Sequence, residues 1–290
     1  MLYFSTETVS THITKIYAFA TELMYLVEGS TQNILIDTGS GFGSLKTAVA
    51  NILSKHNNNA PLSVFLTHGH VDHACGAGEF TAAGIPVYMN REDRYIYIQH
   101  VDEKFRKASL PLENFEGHGI YQEDEDYMPA AAFEEFKDIR EGNCFDLGGV
   151  IIEVYGCPGH TLGSIVFLIR EENGESYLLT GDACNTFTFL FQEYSTSIEA
   201  YEETLAALAK KLHGRYEHVL LSHGDGKGYV GLLEDVCQVC GKIKNGTADS
   251  VPFSFMQSEG KIALDLPPGS GKGNIVYHPD RIWKKDTVIR

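Results

Sequence analysis

The segment Thr67–His73, with the sequence THGHVDH, constrains this chain of 290 residues more than any other part. It follows Leu62–Leu66, a short apolar run typical of a buried strand. Three histidines and an aspartate crowded at the end of a strand are costly to bury unless each finds a partner. The fold therefore has to bring other polar groups or metal ions to this segment.

The spacing within this segment predicts how its side chains are aimed. In extended backbone, residues two apart point the same way, so His68 and His70 can reach one metal ion together. Asp72 and His73 lie beyond a turn and can address a second point nearby. Imidazole and carboxylate ligands suit zinc, which keeps an open position for water at a catalytic site.

Three further candidate ligands stand where short apolar strands end, each beside a glycine. They are His160, Asp182 and His223. Sheet proteins often place functional groups there, because rigid strands hold the loops on which such residues converge. Each is a weak signal alone, but together with the first segment they predict a metal centre.

Periodicity predicts short strands alternating with amphipathic helices. The predicted strands are Ile13–Phe19, Leu23–Glu28, Asn33–Asp37, Leu62–Leu66, Val87–Met89, Phe145–Tyr155, Ile165–Arg170, Tyr177–Leu179, His218–Leu221 and Asn274–Tyr277. The predicted helices are Leu45–His56, Ile198–Leu212 and Tyr229–Lys244. Residues 90–140 are too aromatic for simple disorder and are interpreted as an inserted helical cap or lid. With a C-terminal wrap over 246–290, we predict a single domain over 1–290.

Composition and charge narrow the partners. A formal net charge of -16 repels phosphate backbones and anionic membranes, so we expect a small-molecule substrate and neither nucleic acid nor membrane. The N-terminus carries no secretory pattern, and no apolar run approaches the roughly 20 residues of a membrane span. The six cysteines are scattered and fit a reducing cytosol. We expect a cytoplasmic protein, and a homodimer is compatible with the sequence.

With these motifs in place, the sequence resembles the metallo-β-lactamase fold superfamily. The resemblance rests on THGHVDH, on PGHT at Pro158–Thr161, on Gly181–Asp182 and on SHG at Ser222–Gly224, in that order. It spans about residues 10–230 and implies an α/β fold. That fold is a four-layer αββα sandwich of two mixed β-sheets, here with a helical insertion near 90–140.

The resemblance also implies a ligand set for two divalent metal ions, with zinc first and manganese or iron as alternatives. The implied ligands are His68, His70 and His160 for the first ion, Asp72, His73 and His223 for the second, and Asp182 as a bridge. Asp72 and Asp182 are the implied catalytic residues, and Asp72 could take a proton during attack. A metal-bridging hydroxide would be the nucleophile, so no serine or cysteine nucleophile is required.

Departures from family patterns separate the branches of this superfamily. The commonest β-lactamases use a cysteine at the second site and lack the bridging aspartate that Asp182 provides here. Glyoxalase II typically has a histidine at the position of Ser164, and quorum-signal lactonases have a tyrosine at that of Asn185. We predict a glyoxalase II-like or lactonase-like hydrolase of a small ester, thioester or lactone, and not a true β-lactamase. A phosphodiesterase of the same fold, or a non-hydrolytic di-iron or redox protein, stays open.

Residues close to the predicted ligands are candidates for secondary roles. Asn185 could reach a substrate oxygen, and Phe187 and Tyr194 could line an apolar substrate pocket. A plain packed strand face explains the same aromatic pattern equally well. His100 and His118 could contact substrate from the predicted lid.

Overall fold

Short strands and helices alternate along the computed structural model, which describes residues 3–18, 22–109, 127–255, 258–266 and 274–285. The chain divides into two compact units. The first unit comprises Met1–Val154, Ile169–Gly174 and Ser222–Gly224, and the second comprises Tyr155–Leu168, Glu175–Leu221 and Asp225–Arg290. That residues 1–290 form a single domain stays a prediction.

A seven-stranded mixed sheet forms the centre of the first unit. Its strands, in both chain and spatial order, are β1 (Phe4–Thr8), β2 (Ile13–Ala18), β3 (Leu23–Glu28), β4 (Asn33–Ile36), β5 (Leu62–Phe65), β6 (Val87–Met89) and β7 (Lys137–Asp138). Strands β1 to β4 are antiparallel, whereas β4 to β7 are parallel. Parallel pairing places the carboxyl ends of β4 and β5 at the same edge, where the predicted ligand segment begins.

Short helices follow several of these strands. They are α1 (Leu45–Lys55), α2 (Val71–Ala74), α3 (Gly78–Thr81), α4 (Arg94–His100) and α5 (Glu103–Ala108). Ser44 caps α1 by accepting a hydrogen bond from the Thr47 N–H. The helix then buries Leu45, Val49 and Ile52, which recur on one face as the amphipathic pattern predicts.

The predicted strand Phe145–Tyr155 is wrong as a single element. The structure has an antiparallel hairpin of β8 (Cys144–Asp146) and β9 (Val150–Gly156) instead. Gly148 and Gly149 interrupt the run with φ angles of 76° and 94°, which residues with a side chain rarely adopt. The apolar residues on either side of this glycine pair gave the appearance of one continuous strand.

The second unit is built around two helices and short strands. Its elements are β10 (Ile165–Glu171), whose last three residues belong to the first unit, β11 (Ser176–Leu179), β12 (Thr188–Leu190), α6 (Ile198–Leu212), β13 (His218–Leu220), α7 (Leu232–Lys244), β14 (Ser250–Phe255), β15 (Ser258–Ala263) and β16 (Ile275–Tyr277). Helices α6 and α7 pack on each other and bury a core that includes Leu205 and Val236. No helix within the described ranges is long and apolar enough to cross a membrane.

A four-stranded mixed sheet in the second unit goes beyond the two sheets predicted from the sequence. Its order is β12-β16-β15-β14, so it uses much of the segment interpreted as a C-terminal wrap. The predicted strand near Asn274–Tyr277 is confirmed as β16. Strand β14 escaped prediction because most of its residues are exposed and it contains Pro252, which a strand tolerates at a sheet edge.

The predicted helical insertion near 90–140 is confirmed where the structure describes it. Helices α4 and α5 form its first part, and the chain returns to the sheet as β7. Residues 110–126, including His118, lie outside the described residues. The role of His118 as a lid contact therefore stays a prediction.

Candidate metal centre

The predicted ligand segment lies at the carboxyl edge of the first unit's sheet. Strand β5 ends at Phe65, and the chain then turns into α2. His70 is the N-cap of α2, with extended backbone at ψ 159°, while Asp72 and His73 lie within the helix. This short helix, which the sequence suggested only as a turn, carries the two later candidate ligands.

Five of the seven predicted ligands come together in the first unit. The Nε2 atom of His68 lies 3.0 Å from Nδ1 of His70. The Nε2 atoms of His73 and His223 are 3.3 Å apart, and Asp72 Oδ2 lies 3.7 Å from the former and 3.5 Å from the latter. Ligand atoms around a tetrahedral zinc with bonds of about 2.0–2.1 Å stand about 3.4 Å apart. The donor set and its spacing therefore fit a divalent cation held by Asp72, His73 and His223.

Asp37 orients His73 and is a functional residue that the sequence analysis missed. It follows β4, is almost fully buried and has a left-handed φ of 64°. Its carboxylate accepts hydrogen bonds from the Thr67 N–H at 2.7 Å and from the Thr67 hydroxyl. Nδ1 of His73 lies 2.8 Å away, and because a carboxylate only accepts, this nitrogen carries the proton. The lone pair of His73 is thus on Nε2, which faces the other ligands.

A similar argument shows which ring nitrogen of His68 carries the proton. The Thr67 hydroxyl has one proton, which it donates to Asp37. At the 3.0 Å contact with Nδ1 of His68, the hydroxyl oxygen therefore accepts, and the His68 Nδ1–H donates. Nε2 of His68 is left as the lone-pair atom directed toward His70.

Helix α4 and the turn before it support the ligand segment from the side of the insertion. The buried carboxylate of Asp93 accepts a hydrogen bond from the Gly69 N–H at 2.8 Å. Nδ1 of His100 accepts one from the Val71 N–H at 3.1 Å. The ring of His100 also stacks on that of His70, with centroids 4.8 Å apart and planes at 13°. His100 therefore contacts a ligand residue directly, whereas its contact with substrate stays a prediction.

His223 is anchored through its backbone to the start of β3. The Leu23 N–H donates to the carbonyl of Ser222 at 2.8 Å. The backbones of Glu22 and His223 pair in an isolated antiparallel β-bridge. Burial raises the pKa of the Glu22 carboxyl above its usual range, although hydrogen bonds from Ser40 act in the opposite direction. A fully buried acid therefore lies beside the backbone of one ligand.

The other two predicted ligands come together in the second unit. His160 follows β9 and Asp182 follows β11, and Nε2 of His160 lies 3.8 Å from Oδ2 of Asp182. Nδ1 of His160 is 2.8 Å from the carbonyl oxygen of Phe189, which can only accept a hydrogen bond. His160 is therefore protonated on Nδ1, and its lone pair on Nε2 is directed toward Asp182.

Gly159 allows the turn that carries His160. A Cβ atom at this position would lie 2.2 Å from the ring of Tyr201, which is fully buried under the turn. Any side chain would push the turn away from α6, so only glycine fits this close approach.

Two cysteines near His160 and Asp182 are fully buried. Burial raises the pKa of Cys184, two residues after Asp182, to about 12. Burial likewise raises the pKa of Cys157 well above its ordinary value. Both side chains lie in the core of the second unit, and among the described residues neither belongs to a group of candidate metal ligands.

The three candidates for substrate contact lie close to Asp182 in sequence. Asn185 donates from Nδ2 to Oδ1 of Asp182 at 3.3 Å and accepts from the Phe187 N–H. Its amide thus orients the aspartate. Phe187 and Tyr194 are half-buried. Substrate contact by Asn185, Phe187 and Tyr194 stays a prediction, as does the meeting of all seven ligands around two ions.

Comparison with known proteins identifies the family. A sequence model of the metallo-beta-lactamase superfamily matches residues 20–223, which is well over half of the chain. The match begins before β3 and ends at His223, so it includes every predicted ligand. The chain therefore belongs to the metallo-beta-lactamase superfamily, and its mixed α/β fold is that of the family.

Individual relatives are more distant. An uncharacterized protein of Mycobacterium tuberculosis (strain ATCC 25618 / H37Rv) is 30% identical over 160 residues, which cover 52% of this chain and 62% of that protein. The match thus spans less than two thirds of that relative. A protein named thioesterase pkgB, from Emericella nidulans, is 26% identical over 187 residues, covering 64% of this chain and 41% of its own. The solved structure of a metallo-beta-lactamase from Pontibacter korlensis has a TM-score of 0.56 at 17% identity, covering 81% of this chain and 99% of that one, and it shares the fold.

Proposed function

We propose that this chain is a dinuclear metal-dependent hydrolase of a small ester, thioester or lactone. The observation that carries the proposal is the orientation of three histidines. His68, His73 and His160 each have Nδ1 bonded to a protein oxygen, which leaves Nε2 as the lone-pair atom. Histidines fixed in this way are typical of metal ligands and are not needed for packing.

The proposed ligand set is the one that the family resemblance implies. It consists of His68, His70, Asp72, His73, His160, Asp182 and His223. Bound divalent cations would supply a water molecule of lowered pKa and would polarise the scissile carbonyl group. Zinc suits this set of imidazole and carboxylate groups, with manganese or iron as alternatives.

Asp72 and Asp182 have separate tasks in the proposed reaction. The Asp72 carboxylate is about 35% exposed, so an oxygen of it that does not hold a cation could receive a proton during attack and pass it to solvent. The Asp182 carboxylate is only 14% exposed and is held by the Asn185 amide, which suits a fixed ligand. Neither role requires a serine or cysteine nucleophile.

The branch of the superfamily and the relatives' names together support the proposed substrate class. The name of the pkgB relative favours a thioester, and Asp182 argues against the cysteine-containing site of the commonest β-lactamases. All six cysteines are free thiols, which agrees with a reducing compartment such as the cytoplasm. We therefore place a thioester ahead of a lactone.

Asp182→Ala tests the proposal most directly. We expect it to abolish hydrolysis, because the variant would lack a carboxylate that the proposed cations would need as a ligand. A panel of thioesters, lactones, phosphodiesters and a chromogenic β-lactam would be assayed on zinc-loaded and manganese-loaded protein. Metal content per chain would be measured on the same samples.

Asp280→Ala is the matched control, because it removes a carboxylate of the same unit that is 90% exposed. This variant should keep both metal and activity. Hydrolysis by Asp182→Ala at the wild-type rate would refute the proposed role of Asp182. Two irons per chain with oxygen consumption, and no hydrolysis of any substrate, would favour a redox protein instead.

A further inference from the structure

Five phenylalanine rings form a continuous cluster in the second unit, here called the phenylalanine cluster. Its members are Phe187, Phe189, Phe191, Phe253 and Phe255. Phe189 is central, with ring centroids 5.3 Å from both Phe187 and Phe191, 6.0 Å from Phe253 and 5.2 Å from Phe255. Most of these rings meet at steep angles, as aromatic pairs prefer.

The C-terminal sheet brings these rings together although they are about 60 positions apart in the chain. Three of them alternate along β12 and its flanks, and two alternate along β14. Between these strands, Gly260 on β15 lacks a side chain, and a Cβ there would lie 3.3 Å from Phe191. Ile262 and Val276 are buried with Phe191 beneath the cluster.

The cluster is only partly covered by the described residues. Phe191 is buried, but Phe187, Phe189 and Phe253 are half-buried, and Phe255 is 41% exposed. Core aromatic residues are normally covered far more completely, so a group of contiguous half-exposed rings indicates a binding surface.

Hydrogen bonds tie this surface to the two ligands of the same unit. The carbonyl of Phe189 accepts from Nδ1 of His160. The Phe187 N–H donates to Asn185, whose amide in turn donates to Asp182. Strand β12 thus presents its backbone and flanking amide to the ligands and its aromatic rings to the adjoining surface.

We propose that the phenylalanine cluster binds the apolar acyl group of the substrate, an inference that rests on the hydrolase function proposed above. The substrate class is then a thioester or ester of an apolar acid of medium chain length, and not of acetic acid. Phe253 and Phe255, which lie in the C-terminal segment, become specificity residues. The continuity between rings and ligands favours an acyl group over a second copy of the chain as the occupant.

The length of the substrate's acyl chain provides the test. We would measure kcat/KM for N-acetylcysteamine thioesters of acids with two to ten carbons, since these uncharged substrates avoid repulsion by a net charge of -16. Burial of a methylene group is worth about 0.8 kcal/mol, so each one should raise kcat/KM about two- to fourfold until the chain outgrows the cluster. In Phe253→Ala and Phe255→Ala this gain should fall below about 1.5-fold per methylene.

Trp283→Ala is the matched control. Trp283 is a large aromatic residue of the same unit and is 55% exposed. Nζ of Lys244 lies over its ring, which is outside the cluster. It should leave the chain-length dependence unchanged. Should Phe253→Ala fail to fold, the more exposed Phe255→Ala still decides the question. A chain-length dependence equal to wild type in Phe255→Ala would overturn the proposal.

A binding measurement separates this inference from the proposed function. N-ethyl amides of the same acids resist hydrolysis and can be titrated into the metal-loaded protein by calorimetry. Tighter binding of longer amides in wild type, reduced about fivefold or more in the two variants, supports the cluster even if no thioester is hydrolysed. Hydrolysis without chain-length dependence refutes the cluster alone. A wild-type dimer that Phe255→Ala dissociates would assign the surface to a second copy and overturn the inference.

Discussion

His73 can offer only Nε2 to a cation, because Asp37 accepts the proton on Nδ1. Asp37 also accepts two hydrogen bonds from Thr67, whose hydroxyl in turn fixes His68. One buried carboxylate thus determines the orientation of two ligands. Groups of this kind commonly change metal affinity by 10- to 100-fold when they are lost, although they never touch the metal.

Asp37→Asn should weaken metal binding by about 10- to 100-fold while the fold is retained. Asparagine tolerates the left-handed φ of 64° at this position, but its amide cannot accept from His73 and Thr67 as a carboxylate does. Competition with a chromogenic chelator would measure the affinity. Asp138→Asn, at a half-buried carboxylate in the same unit, serves as control. An affinity equal to that of the control would contradict the role assigned to Asp37.

The sequence reveals metal ligands more readily than the residues that orient them. His68, His70, Asp72 and His73 stand together in a pattern that packing does not require. Asp37 is 36 positions from His73, and nothing in its sequence context distinguishes it from an ordinary aspartate at the end of a strand. Its left-handed backbone is equally invisible to periodicity, so only the folded chain discloses its role.

At the scale of elements, α4 connects the insertion with the ligand segment. The helix contributes His100, which accepts from the Val71 N–H and stacks on both His70 and Phe105. The backbone N–H at the start of α2 therefore has a partner from outside the helix. A role for the insertion in shaping the centre follows, whether or not it also meets substrate.

His100→Ala should lower metal affinity more than His100→Phe does. Phenylalanine keeps the ring stack on His70 and loses only the acceptor for Val71, a hydrogen bond worth about 0.5–1.5 kcal/mol. Alanine loses both. The same chelator competition would rank the variants, with Ile98→Ala as control because Ile98 is an exposed residue of α4. If His100→Ala binds metal as tightly as Ile98→Ala, the support from α4 is refuted.

Elements with strong periodicity were predictable, and weakly patterned ones were not. Helix α6 was predicted with both ends correct, since its apolar face repeats over fifteen residues. Strands β14 and β15 were missed because few of their residues are buried, so neither shows the pattern of a buried strand. Their function as the carrier of Phe253 and Phe255 depends on pairing with β16, which no local pattern encodes.

At the scale of the whole molecule, the bound cations should add to stability. Ligands that bind only the folded chain stabilise it by about 2.7 kcal/mol when their free concentration is 100 times Kd. The first unit nevertheless has a core of its own beneath the seven-stranded sheet, with Ile16, Leu35 and Val64 buried. Metal is therefore not the main source of folding energy, unlike in small zinc-dependent domains.

Removal of metal with a chelator should lower Tm by about 5 °C or more but leave the far-ultraviolet circular dichroism unchanged at 25 °C. The change in Tm follows from mass action, and the retained signal follows from the independent core. Chelator saturated with calcium beforehand is the control. Loss of the dichroism signal on chelation would show that folding depends on the metal, contrary to this prediction.

The overall class of the molecule was predictable because four separate motifs occur in a fixed order. What the motifs left open was the segment after residue 223, where α7 and β16 were predicted but β14 and β15 were not. The family match also ends at residue 223, so that region is outside the range that the family model covers. Two members of the phenylalanine cluster, Phe253 and Phe255, lie beyond that point.

The fixed orientation of the three imidazoles has a consequence for how the protein matures. Because Asp37, Thr67 and the Phe189 carbonyl already hold the rings, the newly made chain can finish folding before it encounters any cation. Binding of the proposed metal ions would then be a late and separate event, limited by supply and not by chain rearrangement. On the proposed function, a cell starved of the metal would accumulate folded, inactive protein that could be activated without new synthesis.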